Sequence, residues 1–173
     1  MFKRLSFMRL LISSMLITLL TLSSAGAETL NFRIFNYYSK MEAMPIGFVK
    51  APANIIFEKR GLADFENGDI ATFLARGAVK ATPEARTAEG YTLLTFDDGA
   101  TIVYNWVIKW SKSKTVQGDF YTGTGKLIKG TGRYEGIQGE MKITGKGVTP
   151  FNKETKGDAY FDVTAEYTIS SKL

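Results

Sequence analysis

Alternate positions of one short segment carry the side chains best suited to enclosing a small molecule. The segment TIVYNWVIKW contains both tryptophans of the chain. Successive side chains of a β-strand point to opposite faces, so every second residue of this segment shares a face. The residues on the larger face are Ile102, Tyr104, Trp106, Ile108 and Trp110. If that face lines a barrel, it forms an aromatic wall for a flat or aliphatic ligand.

Four aromatic residues are the candidate walls of such a ligand site. Tyr104 and Trp106 are the best candidates, and Tyr91 and Tyr167 are expected behind them. The alternative is that the large face packs the interior solidly, or packs against a neighbouring subunit, and leaves no room. An eight-stranded barrel is just wide enough to be filled by side chains or to hold one small ligand, so both interpretations stay open.

Carboxylates are the other candidates for chemistry. Asp97 and Asp98 are adjacent, so on a strand they would point to opposite faces, and the following Gly99 indicates a tight turn instead. Asp162 and Glu166 alternate with apolar residues in AYFDVTAEYTI and are expected on the outer, solvated face. If they faced inward, one of them could act as an acid with a raised pKa.

The absence of histidine and cysteine excludes several classes of enzyme. A chain without them has no Ser–His or Cys–His dyad and no disulfide. A zinc site would have to be built from carboxylates alone, which is improbable. We therefore expect no metal site, and the stability of the fold must come from a packed core.

The glycine-rich stretch KGTGRYEGIQGE does not match the phosphate-binding motifs. The dinucleotide fingerprint is G-x-G-x-x-G at the start of a helix, whereas Gly130, Gly132 and Gly136 give G-x-G-x-x-x-G among strands. The P-loop pattern also fails, because the Gly-Lys pair that begins at Gly145 is followed by Gly147. The glycines indicate turns and bulges of a sheet, and we expect no cofactor.

Strict alternation of apolar and polar residues is the recurring signal along the chain, as in TLNFRIFN and AYFDVTAEYTI. Between such runs, Asn67-Gly68 and Asp98-Gly99 are dipeptides typical of hairpin turns. No window of comparable length shows a helical apolar stripe. The predicted strands cover residues 29–36, 53–60, 69–80, 90–96, 100–111, 117–128, 138–148 and 157–170.

Eight sequential strands can protect their edges by closing into a barrel or by stacking as a sandwich. The long final strands and the 17 glycines favour closure, because tight barrel corners need residues without a Cβ. We predict an all-β fold, an eight-stranded antiparallel closed β-barrel, as a single domain over residues 28–173. The segment from Tyr37 to Pro52 is predicted to be irregular and to lie over one end of the barrel.

Two segments carry a family resemblance. GTGRYEGIQGE resembles the G-T-G-[KR]-[YF]-x-G-[IA]-x-G segment of allene oxide cyclase-like and dirigent-like β-barrels. FDDGATIVYNW is similar to the D-x-D-G-D…W segment of small exported bacterial proteins of that type, except that Ala100 replaces an acidic residue. Together the two segments cover roughly residues 90–148.

The resemblance implies a calycin-like barrel of eight antiparallel strands, often trimeric in the plant members, with a mostly apolar cavity. In the plant enzymes that cavity holds a fatty-acid epoxide, and in dirigent proteins it orients phenolic radicals. The polar catalytic residues of these families find no matching positions in this sequence, so none is assigned here.

Residues 1–27 have the layout of a secretory signal peptide. Basic residues at Lys3, Arg4 and Arg9 precede an apolar run from Leu10 to Leu22, and small residues end at Ala27. The alternative is a membrane anchor, but this run has 13 residues where a spanning helix needs about 20. We predict cleavage near Ala27, export to the periplasm or beyond the cell, and no transmembrane span in the remaining chain.

The charge that remains after cleavage is nearly balanced. Three of the 22 basic residues lie in the predicted signal peptide, which leaves 19 basic residues against 17 acidic ones. Nucleic-acid binding therefore loses its main support in the composition, and we expect no nucleic-acid partner.

Three functions agree with these observations. The leading hypothesis is non-catalytic binding of a small hydrophobic or aromatic ligand in the barrel. The second is an isomerase or cyclase that acts by confining a reactive substrate, and the third is a structural or interaction protein with a filled barrel. The expected partners are a small hydrophobic ligand and further copies of the chain, as a trimer by the resemblance.

Overall fold

The computed structural model describes residues 26–45, 53–81, 86–112, 119–150, 152 and 154–170. Within these residues the chain forms eight strands and one short 3-10 helix, Gly132–Tyr134. The strands are β1 (Glu28–Pro45), β2 (Ala53–Phe65), β3 (Ile70–Ala81), β4 (Arg86–Phe96), β5 (Thr101–Lys112), β6 (Asp119–Thr131), β7 (Ile137–Gly147) and β8 (Ala159–Ile169). Each lies at a predicted position.

The strands form one closed antiparallel barrel in sequence order. Every strand pairs with its neighbours in the chain, and β1 also pairs with β8, from Glu28 opposite Tyr167 to Asn36 opposite Ala159. The predicted eight-stranded antiparallel closed β-barrel is therefore confirmed.

Alternation along each strand separates the interior of the barrel from its surface. On β1, Phe32 and Ile34 are buried while Arg33 and Phe35 are exposed. The same alternation places the large face of β5 inside, where burying apolar surface stabilises the fold by about 25 cal/mol per Å². In TLNFRIFN on β1 and AYFDVTAEYTI on β8, the residues predicted to face the interior are thus the ones on the inner face of the barrel.

The first strand is longer than predicted. Residues from Tyr37 to Pro45 continue β1 and pair with β2, so the prediction of an irregular segment there is wrong. The register shifts between Tyr38 and Lys40, and Ser39 at this irregularity donates its hydroxyl to the backbone oxygen of Glu58 at 3.2 Å. A bulge of this kind lets pairing continue where strict alternation fails. Residues 46–52 lie outside the described residues.

One end of the barrel is closed by a cluster of aromatic rings in contact with one another. Ring centroids are 4.6 Å apart for Phe32 and Phe65, 5.1 Å for Phe65 and Phe96, and 5.0 Å for Phe96 and Tyr134. The guanidinium of Arg133 covers this cluster, with its carbon 4.8 Å from the centroid of Phe96. The cluster fills this end with side chains.

The glycine-rich stretch forms the turn beside this cluster, as predicted. Gly132 and Gly136 have positive φ angles of 62° and 82°, which residues with a Cβ rarely adopt. Arg133 between them pairs with Asp69 at 2.8 Å and with Asp98 at 3.6 Å. Because these carboxylates belong to two other hairpin turns, Arg133 links three connections at the closed end.

A carboxylate on the outer face of β2 joins three neighbours. Glu58 accepts hydrogen bonds from Arg60 at 2.9 Å, from Arg76 at 3.0 Å and from the Ser39 hydroxyl at 3.0 Å. The hydrogen bonds from the two arginines and the serine lower the pKa of Glu58 to about 2. Its charge therefore supports the pairing of β1, β2 and β3.

We expect Glu58→Gln to remove part of the acid sensitivity of the fold. A carboxylate with a lowered pKa contributes stability above its unfolded value of 4.5, and this contribution is lost as pH falls toward 2. Urea unfolding between pH 7 and pH 3 should show the wild type losing its advantage over the variant. Glu140→Gln is the control, since Lys126 is the one ion-pair partner of Glu140 among the described residues and both side chains are exposed. Parallel pH profiles for wild type and Glu58→Gln would contradict this account.

The predicted signal peptide lies almost entirely outside the described residues, which begin at Gly26. It stays a prediction. In the part of the chain that the structure describes, no helix is long and apolar enough to span a membrane. The described residues also contain no cluster of three or more acidic side chains able to hold a metal ion.

Candidate functional site

A cavity of about 40 Å³ lies inside the barrel, away from the aromatic cluster of the closed end. All eight strands contribute side chains to its wall, and most of them are apolar or aromatic. Both tryptophans, Trp106 and Trp110, belong to the wall. Among the described residues, Lys59 is the one charged side chain that lines it.

Tyr104 and Trp106, the best candidates from the sequence, both line this cavity. The indole Nε1 of Trp106 donates to the hydroxyl of Thr92 at 3.0 Å, and the Tyr104 side chain also hydrogen-bonds Thr92. Phe57 stacks on Trp106 with ring centroids 6.1 Å apart and an interplanar angle of 26°. These contacts fix the orientation of the aromatic wall.

Two glycines make room for the indole of Trp106. Gly77 and Gly90 pair with each other across β3 and β4, and Gly90 also pairs with Trp106. A Cβ at Gly90 would lie 2.6 Å from the indole, and one at Gly77 would lie 2.9 Å from it. Glycine inside a strand often marks such a close approach. The ring therefore lies directly against the backbone of the neighbouring strands.

The other two candidate wall residues lie elsewhere. Tyr91 is 62% exposed on the outer face of β4, because its neighbour Thr92 occupies the inward position. The prediction that Tyr91 stands behind the wall is therefore wrong. Tyr167 is partly buried near the start of β1, where its hydroxyl donates to the carboxylate of Glu28 at 2.6 Å. It is not part of the cavity lining.

The carboxylates considered from the sequence do not enter the cavity. Asp162 lies on the outer face of β8 and pairs with Arg33 at 2.6 Å, and Glu166 is exposed. Asp98 belongs to a hairpin turn, where it accepts a hydrogen bond from the backbone N–H of Ala100 at 2.9 Å. The condition for an inward-facing acid on β8 is therefore not met.

Lys59 is the functional candidate that the sequence reasoning missed. Its side chain points inward from β2 and is only 7% exposed. The Nζ atom lies 4.2 Å from the ring centroid of Tyr38 and 5.3 Å from that of Phe161. No described carboxylate forms an ion pair with it. A cation in this position interacts with the faces of aromatic rings.

Burial changes the acid–base chemistry of this amine. Loss of water around Nζ lowers the pKa of Lys59 to about 7, because an apolar environment disfavours the charged form. A substantial fraction of the side chain is therefore the neutral amine near neutral pH, whereas an ordinary lysine is almost fully charged. A neutral amine can act as a base or a nucleophile.

Two tyrosines bring further hydroxyl groups to the cavity wall. Burial raises the pKa of Tyr38 and of Tyr121, so both stay protonated at neutral pH. The ring of Tyr121 lies 5.4 Å from Trp110 and 5.2 Å from Phe161 between centroids. The wall thus combines packed aromatic rings with one amine and a few hydroxyl groups.

The side-chain amide of Asn36 is also buried on the inner side of β1. Asn36 lies between Ile34 and Tyr38, which both line the cavity. Its amide nitrogen donates to the backbone oxygen of Ala159 at 3.3 Å, while its Oδ1 has no hydrogen-bond partner among the described residues. A buried oxygen of this kind accepts a hydrogen bond from water or from a polar molecule.

Comparisons with known proteins show the fold. No family model matches the sequence, and no curated protein matches it. Among solved structures, the chain is similar to the conserved protein of unknown function RPA1785 from Rhodopseudomonas palustris, with a TM-score of 0.56 and 13% identity. That similarity covers 81% of this chain and 97% of the other.

Two dirigent proteins are also similar in structure. The pterocarpan synthase dirigent protein PsPTS1 has a TM-score of 0.44 at 14% identity, covering 84% of this chain and 97% of that chain. The corresponding protein GePTS1 has a TM-score of 0.45 at 13% identity, covering 87% and 95%. The structural neighbours of this chain include these two dirigent proteins, while the allene oxide cyclase-like assignment stays a prediction.

Proposed function

We propose that the protein is an exported barrel that binds a small molecule beside Lys59 without catalysing a reaction. The observation that carries the proposal is the buried amine. Burying a lysine among apolar groups costs free energy unless an opposite charge offsets it, and no described carboxylate does so here. A methionine could fill similar space without that cost. A group with a strongly perturbed pKa in a cavity marks a candidate functional site.

The size of the cavity limits the ligand. A cavity needs about 10–15 Å³ to hold one water molecule, and one of about 150 Å³ holds benzene. The cavity of about 40 Å³ therefore accepts about three water-sized groups. This volume favours a short aliphatic molecule with one polar group over the aromatic ligand that the strand pattern suggested.

The proposal includes the location and assembly expected from the sequence. The three-part layout of residues 1–27 supports export to the periplasm or the cell exterior. The resemblance of the glycine segment supports an allene oxide cyclase-like member of the barrel class and a homotrimer. The ligand site itself lies within one chain, because its described wall comes from the eight strands of a single barrel.

A second candidate function is favoured by the small volume. If side chains fill the barrel in solution, only its outer surface is available, and the protein acts as a structural or interaction protein. The isomerase or cyclase alternative gains less support: Tyr38 and Tyr121 line the cavity, but no described carboxylate does. Titration with small ligands distinguishes a ligand-binding protein from a structural or interaction protein with a filled barrel.

We expect tryptophan emission to change saturably when a ligand enters, because both tryptophans line the cavity. The protein would be titrated with alcohols, ketones, aldehydes and carboxylic acids of short chain length, and native mass spectrometry would search gently purified protein for a bound molecule. Lys59→Met should weaken or abolish the response, and Lys142→Met, on the exposed face of β7, is the matched control. If no compound changes the emission and only the apo mass appears, the filled barrel is the better account.

A further inference from the structure

We infer that Lys59 forms a reversible imine with a short aliphatic aldehyde that enters the cavity. The inference rests on the proposed function, since the aldehyde must first occupy the same space. It assigns to the amine a covalent role in holding the ligand and names the class of molecule that is held.

The surroundings of Nζ favour a nucleophile over an ion-pair partner. An ammonium that serves to bind an internal carboxylate is kept charged by that carboxylate, but the described neighbours of Nζ are the ring faces of Tyr38 and Phe161, at 4.2 Å and 5.3 Å. Aromatic rings attract a cation weakly compared with the cost of removing it from water. The depressed pKa of Lys59, about 7, agrees with this geometry.

The reaction needs no reagent beyond the two partners and water. The amine nitrogen attacks the carbonyl carbon, a C–N bond forms, and the π electron pair of the carbonyl moves to oxygen. A proton passes from nitrogen to oxygen to give a carbinolamine. The C–O bond then breaks, both hydrogens of the amine leave with the oxygen as one water molecule, and a C=N bond remains. Addition of water reverses the sequence and releases the aldehyde.

The cavity selects the aldehyde by length. Imine formation expels the carbonyl oxygen, so a propanal adduct adds three carbon atoms to Nζ. The available volume accommodates about three water-sized groups. The walls that would receive the alkyl chain include Ile34, Phe57 and Trp106, which offer carbon surface and no charge. An aromatic aldehyde exceeds this volume.

The test is reductive trapping of the purified protein with propanal. Cyanoborohydride converts an imine into a stable secondary amine, which intact-mass and peptide analysis locate. At pH 7.4 we expect Lys59 to be alkylated at least about tenfold faster than exposed lysines such as Lys126 and Lys142, because burial lowers the pKa of Lys59 and leaves more of its amine in the neutral, nucleophilic form. Lys59→Arg should lose the dominant adduct, and Lys142→Met should keep it. Benzaldehyde should give no preference for Lys59.

The outcomes separate this inference from the proposed function. The wild type is also titrated with 1-propanol and propanoate, with tryptophan emission as the readout. If these compounds bind but Lys59 is alkylated no faster than the exposed lysines, the imine is overturned and non-covalent binding stands. If neither binding nor preferential alkylation occurs, both proposals fail. Equal labelling of Lys59 by propanal and benzaldehyde would overturn the aliphatic selectivity.

Discussion

Replacing Gly61 with alanine is expected to destabilise the barrel by about 3 kcal/mol or to prevent folding. Gly61 lies on β2 opposite Asn36 of β1. A Cβ at this position would overlap the backbone oxygen of Phe35 and lie 2.8 Å from its carbonyl carbon. It would also lie 2.9 Å from the Cα of Asn36. These atoms are backbone, so the clash is relieved only if β1 moves away from β2.

Urea unfolding of Gly61→Ala and wild type would measure this cost. The matched control is Gly147→Ala, which also adds one methyl group to a strand glycine. There the nearest atom is the side-chain hydroxyl of Tyr121 at 3.2 Å, and the nearest backbone atom, the oxygen of Asp119, is 3.8 Å away. We expect the control to change the unfolding free energy by less than about 1 kcal/mol. A Gly61→Ala protein as stable as the control would refute the close approach of β1 and β2.

Replacing Lys59 with methionine is expected to stabilise the protein at neutral pH and to flatten its pH profile. The unfolded amine has a pKa of 10.5 and the folded amine about 7. Between these values the unfolded state binds more protons, so the free energy of unfolding rises with pH. The contribution of Lys59 to the free energy of unfolding should rise by about 2 kcal/mol between pH 7 and pH 9. Lys59→Met lacks this rise.

Urea unfolding at pH 7, 8 and 9 measures how the free energy of unfolding changes with pH. Lys142→Met is the control, and it should show the same rise with pH as the wild type. The comparison stops at pH 9 because an opposite effect follows. Burial raises the pKa of Tyr38 and Tyr104, so at higher pH the unfolded state loses protons that the folded state keeps, and stability falls. Equal slopes for wild type and Lys59→Met would show that the amine is hydrated in solution.

The architecture could be predicted because it depends on a local signal. A strand with one buried face must alternate, and the chain does so wherever the barrel wall is regular. The signal fails at Tyr37 to Pro45, where the bulge at Ser39 interrupts the alternation while pairing with β2 continues. The sequence of β1 alone contains no information about that partner.

The candidate site could be predicted only in part. Alternation identified Tyr104 and Trp106, which share a face with apolar neighbours along β5. It failed for Tyr91 because both faces of β4 carry large residues, and the inward position beside it belongs to Gly90, where the indole of Trp106 takes up the space.

Lys59 shows the opposite failure. It shares the alternating face of β2 with Phe57, Ala63 and Phe65, which are buried, so its inward position was readable from the sequence. A lysine is seldom fully buried, however. The alternation of β2 alone was therefore too weak a signal to predict that Lys59 points into the barrel. The rings that flank it come from β1 and β8, and the pairing of these strands is not visible in any local segment. The volume of the cavity likewise depends on how all eight strands pack.

The pairing of β1 with β8 has a consequence for the synthesis and folding of the chain. Phe161, one of the two rings beside the Lys59 amine, lies on β8, so a nascent chain that has been synthesised only as far as β7 does not yet contain the complete site. Proteolytic loss of the final strand would remove that ring and leave the backbone groups of β1 and β7 without partners. Unpaired strand edges recruit other chains. A chain truncated before β8 would therefore lose the ligand site and would also tend to aggregate.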